Sequence, residues 1–105
     1  MNTELSIKLI RELERAPEQS QRALSQNCGV SLGSIHYCLH ALIEKGYVKA
    51  RNFKNAQNKL AYAYILTPAG LNLKTELTLA FLKRKQAEYE ALQQEIKALE
   101  EDLAR

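Results

Sequence analysis

Residues 20–45 read SQRALSQNCGVSLGSIHYCLHALIEK, and the fold turns on how this stretch is parsed. Ser20 can give a side-chain oxygen to the free N–H groups of a first turn, which opens a short helix over Gln21–Asn27 with Leu24 facing inward. Gly29 tolerates the positive φ that ends such a helix. Ser31 is placed to cap a second helix whose apolar residues Ile35, Cys38, Leu39 and Leu42 recur at i, i+3, i+4 and i+7, and Gly46 stops it. Two helices joined by a short glycine-containing turn, the second amphipathic, make a helix-turn-helix pattern.

Upstream, Leu5, Leu9 and Leu13, with Ile10 beside them, form one stripe of a helix that Thr3 can cap. Pro17 pushes Ala16 out of helical geometry, so this helix should end near Arg15. Downstream, Tyr47–Phe53 and Leu60–Leu66 are rich in β-formers and flank the polar segment Lys54–Lys59, which predicts a hairpin. A hairpin directly after such a helix is a wing. Thr67 as cap with Pro68 at the first helical position then starts a helix that can run to Arg105, about 57 Å at 1.5 Å per residue. The fold class expected is mainly α with a small β-hairpin (α+β). It divides into a winged helix-turn-helix over residues 1–67 and a long coiled-coil-like helix over 68–105.

The distal half of that helix repeats every seven residues. Leu82, Tyr89, Ile96 and Leu103 fall at heptad position a, and Lys85, Leu92 and Leu99 at d. A seam so far from the domain predicts pairing with a second copy, a homodimer, through Leu82, Tyr89, Leu92, Ile96, Leu99 and Leu103. Its direction is open from sequence. Parallel pairing sets Glu95 against Glu100 of the other chain, whereas antiparallel pairing brings Lys83-Arg84-Lys85 toward Glu100-Glu101-Asp102 but moves the two domains far apart.

The 105 residues are 46% hydrophobic and 26% charged, ordinary values for a folded globular chain. Glu4, Lys8 and Arg11 interrupt any apolar run at the N-terminus, which fits neither a signal peptide nor a membrane span and suggests a cytoplasmic protein without membrane partners. Cys28 and Cys38 form no CxxC pair and read as buried reduced thiols. The net charge of +3 hides an asymmetry: residues 1–87 hold 13 basic and 6 acidic side chains, and residues 88–105 hold 2 basic and 6 acidic. Lys45, Lys49, Arg51, Lys54 and Lys59 occur with no acid between positions 45 and 59, so the wing suits a polyanion.

If the second helix of the pair enters the major groove of duplex DNA, the residues facing the bases are Ser31, Gly33, Ser34, His36, Tyr37 and His40. This face carries no Arg or Lys, so bidentate guanine contacts are absent from it and readout leans on His, Tyr and Ser, on water and on DNA shape. Lys49, Arg51, Lys54 and Lys59, with Arg22 as a further candidate, are expected on phosphates. His36 and His40 have the i, i+4 spacing of metal ligands, but two ligands are too few and Cys38 points elsewhere, so no metal or other cofactor is expected. Paired carboxylates, a Ser/His/Asp set and a phosphate-cradling glycine loop are all missing, which leaves no catalytic residues to name and argues against an enzyme. A winged helix used for protein contact is the rival reading.

The stretches GVSLGSIHYCLHALIEKGYVKARNF, NKLAYAYILTPAG and FLKRKQAEYEAL resemble, in this order, the MarR family of winged-helix transcriptional regulators, and most closely a short subgroup associated with exopolysaccharide loci. The resemblance implies that Leu32–Lys45 is the recognition helix, Asn52–Asn58 the wing tip and Leu71 onward the dimer helix. It also implies control of exopolysaccharide genes. Many members carry additional helices that build a ligand pocket, so no small-molecule effector is expected here. The Asp-x-Arg element of many wings is replaced by Gln57-Asn58-Lys59.

Overall fold

The first helix, α1 (Thr3–Arg15), is capped by Asn2, whose Oδ1 accepts from Leu5 N–H at 3.1 Å. Thr3, expected to be the cap, is instead the first helical residue. An amide oxygen one position earlier reaches the same orphan donor. The helix ends where Pro17 predicts, with Ala16 at φ −151°. Ser20 caps α2 (Gln21–Cys28) through Ala23 N–H, and Gly29 closes it at φ 68°. Ser31 caps α3 (Leu32–Glu44), and Gly46 turns the chain at φ 79°. The strands β1 (Val48–Lys54) and β2 (Leu60–Leu66) pair antiparallel, Val48 opposite Leu66 and Arg51 opposite Ala63. The last helix, α4 (Pro68–Ala104), has Thr67 as its cap and Pro68 in its first turn, as the sequence predicts. This computed structural model describes residues 2–54 and 60–105, with side chains from 54 to 60 left aside.

The core gathers one stripe from each of the first three helices. Leu9 and Ile10 of α1, Leu24 of α2 and Ile35, Leu39 and Leu42 of α3 are fully buried, and Val48 and Tyr64 of the hairpin close over them. Burying each large aliphatic side chain contributes about 1.5–3 kcal/mol before chain entropy is set against it. One polar contact lies inside: the buried Ser6 hydroxyl meets the Cys38 thiol at 3.7 Å, joining α1 to α3. Cys28 and Cys38 are free and buried, and burial raises both thiol pKa values. These are the buried, unbridged thiols that the sequence predicts.

The start of α4 is locked onto this core. Thr67 donates its hydroxyl to the Gly46 carbonyl at 2.6 Å and its N–H to the Tyr47 carbonyl at 3.1 Å. Gly70 is buried against the same Tyr47 carbonyl, so close that a Cβ at this position would collide with it. Leu73 and Leu77 pack on the core, and Lys74 pairs with Glu14 of α1. Beyond them the helix leaves the domain. Its 37 residues span about 55 Å, and the molecule measures 70 × 27 × 21 Å. Among the described residues, no helix is long and apolar enough to cross a membrane.

Candidate nucleic-acid interface

The inward stripe of α3 determines what its other side presents. With Ile35, Cys38, Leu39 and Leu42 buried, Ser31, Gly33, Ser34, His36, Tyr37 and His40 all lie exposed, Tyr37 at 78%. Ser31 accepts from the Ser34 N–H at 3.1 Å while its hydroxyl contacts Ser34 Oγ at 2.9 Å, so Ser31 chiefly fixes the helix start. With Ser31 donating in that contact, Ser34 keeps its hydroxyl proton for an outside acceptor. At Gly33 the nearest foreign atom to an added Cβ would be Ser31 Oγ at 4.0 Å, so the surface there is open. A groove of about 690 Å³ runs along this face between α3 and Asn2 and Leu5 of α1.

His36 and His40 stack with ring centroids 4.1 Å apart. His36 Nδ1 lies 3.3 Å from the Gln21 side-chain oxygen, and the Gln21 amide nitrogen donates to the Tyr64 hydroxyl at 3.4 Å. An amide oxygen only accepts, so this contact is a hydrogen bond when Nδ1 carries a proton. Gln21 thus links α2 with α3 and β2 beside the exposed face of α3. Its role is not legible in the sequence, because a glutamine at the first helical position carries no pattern. Among the described residues, no group of three or more His, Cys, Asp or Glu is arranged to hold a metal ion.

On the hairpin, Lys49 and Arg51 are exposed and alternate with Ala50 along β1. Their cross-strand partners are Ile65 and Ala63. Tyr62, Tyr64 and Asn52 occupy the other strand face. Tyr62, 56% exposed, stacks on Tyr64 at 6.1 Å beside the start of α2. Tyr62 was also missed, since its alternation with Ala61 and Ala63 reads simply as strand. The structure keeps the uncharged face of α3 and the cations of β1 on separate elements. Lys59 and most of the expected wing tip lie outside the described residues, as does the side chain of Lys54.

The family described as winged helix-turn-helix DNA-binding matches residues 3–49. The fold is a winged helix-turn-helix. Solved structures of several transcriptional regulators share it. The PcaV transcriptional regulator of Streptomyces coelicolor, in complex with its natural ligand, is 18% identical with a TM-score of 0.64, over 78% of this chain and 57% of that one. The putative transcriptional regulator TA0346 of Thermoplasma acidophilum is 22% identical with a TM-score of 0.65, over 84% of this chain and 89% of that one. Streptococcus pneumoniae FabT in complex with DNA is 23% identical with a TM-score of 0.54, over 79% and 56%. The chain therefore spans less than two thirds of PcaV. No curated protein sequence matches it.

Proposed function

We propose that this chain is a non-catalytic, MarR-type transcriptional regulator that binds duplex DNA as a homodimer in the cytoplasm. The observation that carries this reading is the exposed face of α3, whose start is capped by Ser31 and which is followed at once by a hairpin bearing Lys49 and Arg51. In this reading residues 1–67 form the DNA-binding unit and 68–105 the dimerisation helix. Helix α3 enters the major groove, where Ser34, His36, Tyr37 and His40 meet base edges. Lys49, Arg51, Lys54 and Lys59 neutralise phosphates, which supplies affinity and salt sensitivity without sequence information. FabT, with the same fold, is seen in complex with DNA, and that supports DNA as the partner. The resemblance to the exopolysaccharide-associated subgroup carries the proposal one step further, to control of exopolysaccharide genes.

The test is a salt titration of binding to duplex DNA, with footprinting on the protein's own genomic neighbourhood. A steep inverse dependence on salt and a protected site near the gene are expected. Absence of binding at low salt would sink the proposal in favour of a protein adaptor, the reading that the arginine-free face of α3 favours.

A further inference from the structure

We infer, resting on the DNA-binding reading above, that Gln21 is a positioning residue for base recognition: it holds Nδ1 of His36 so that Nε2 becomes the reading atom, and the base preferred by α3 follows the protonation of that one imidazole.

The anchor starts in the core. Tyr64 is buried, and its N–H donates to the Pro17 carbonyl at 2.9 Å, which fixes β2 against the turn that precedes α2. Its hydroxyl accepts from the Gln21 amide nitrogen at 3.4 Å, and this leaves the Gln21 oxygen toward His36 Nδ1, 3.3 Å away. Both contacts are long, so each alone is a weak restraint. Together they give a half-buried amide one orientation, because its donor end and its acceptor end are both engaged. His40 stacks on the His36 ring at 4.1 Å and limits its tilt. Nε2, on the far side of that exposed ring, is the nitrogen left for a base edge.

The chemistry of that atom depends on one proton. With Nδ1 protonated in a neutral ring, Nε2 accepts, and in the major groove the amino groups of adenine and cytosine donate. In the imidazolium Nε2 donates, and guanine offers O6 and N7. Residues 31–40 carry no Arg or Lys that would impose guanine at every pH. The titratable and charged neighbours are Tyr37, His40 and Glu44 of α3, Arg22 of α2, Tyr62 and Tyr64 of β2 and Lys49 and Arg51 of β1, while α1 meets the opposite side of α3 at Cys38. Protonating both histidines would bring two charges together across rings 4.1 Å apart, so the two do not charge independently.

The test measures preference for the operator, found by footprinting the wild type, over a scrambled duplex from about pH 5.5 to about pH 8.5, the range in which an imidazole changes charge. Wild type, Gln21→Ala, Gln21→Glu, His36→Ala and the double variant Gln21→Ala/His36→Ala are compared as full-length chains. The wild-type preference should change across that range. Gln21→Ala should lower it about threefold to tenfold, the net contribution of one such hydrogen bond, with no further loss when His36 is already Ala. Gln21→Glu keeps the acceptor and puts an acid in a first helical turn, where the helix dipole favours it. Its carboxylate beside Nδ1 favours the imidazolium, so the pH midpoint of the preference should rise by about half a unit to one unit. A ratio between two duplexes does not depend on the fraction folded, so a destabilised variant still reports. An equal Gln21→Ala loss with and without His36, or an unmoved midpoint in Gln21→Glu, overturns the inference. A wild-type preference that stays constant with pH overturns the dependence on the imidazole proton. A wild type that binds duplex with no operator preference overturns the regulatory proposal itself and with it any positioning role for Gln21.

Discussion

Helix α1 and the distal half of α4 carry apolar stripes of similar quality, and the two meet opposite fates. Leu9 and Ile10 of α1 are fully buried by α2, α3 and the hairpin, whereas Tyr89, Leu92 and Ile96 of α4 are about half exposed. The difference is reach. Helix α1 packs against α2, α3, α4 and β2, but residues beyond Leu82 have left the domain that could cover them. A stripe covered by its own chain stabilises folding; one left uncovered stabilises association. In the proposed homodimer the same periodic signal encodes two different reactions, one independent of protein concentration and one governed by it.

The largest expected effects break that comparison directly. Leu9→Ala or Leu39→Ala should cost about 2–5 kcal/mol of stability at any protein concentration, because the cavity adds to the lost transfer energy. Ile96→Asp should leave the winged domain folded by near-ultraviolet and far-ultraviolet signals yet abolish the concentration dependence of thermal unfolding. If both classes of substitution destabilise equally at all concentrations, the distinction between the two stripes is wrong.

Gly70 stands at the joint between the two regions. Its missing Cβ lets the first turn of α4 rest on the Tyr47 carbonyl, so Gly70→Ala forces the helix to shift and should cost about 1–3 kcal/mol by chemical denaturation. An unchanged midpoint would mean that α4 is not seated as described.

Much of the fold was legible because it depends on local rules. The caps Ser20, Ser31 and Thr67, the left-handed Gly29 and the buried set Ile35, Cys38, Leu39 and Leu42 follow from spacing and side-chain chemistry alone. The features missed from sequence depend on elements that are distant in the chain. Gly70 owes its identity to a carbonyl 23 positions earlier, Ser6 is buried because Cys38 meets it, and Gln21 matters because His36 and Tyr64 flank it. Gln21 and His36 share one stretch of sequence, but the other partners lie 23 to 43 positions apart, and none of these pairs follows a periodic spacing. The reading face of α3 was legible as an exposed set, but the lock on His36 was not.

Within the interface, the contrast between α3 and β1 yields smaller effects of two kinds. Tyr37, standing clear of the helix at 78% exposure, should contribute to discrimination. Tyr37→Ala is expected to reduce the preference for operator over scrambled duplex by about 1–3 kcal/mol with little change in the salt slope. Equal losses on both duplexes would move Tyr37 from base reading to general contact.

The smallest change should come from the hairpin. Lys49 is exposed on a strand that carries no acid, and its ammonium contributes through counterion release rather than through any base edge. Lys49→Ala should weaken binding to operator and random duplex alike and lower the slope of log affinity against log salt by about one. Because both duplexes lose equally, the specificity ratio should stay fixed while the absolute affinity falls, the reverse of what Tyr37→Ala does. A Lys49 variant that kept its salt slope but lost operator preference would place base reading on the wing and remove the division of labour between an uncharged helix that selects and a cationic hairpin that holds.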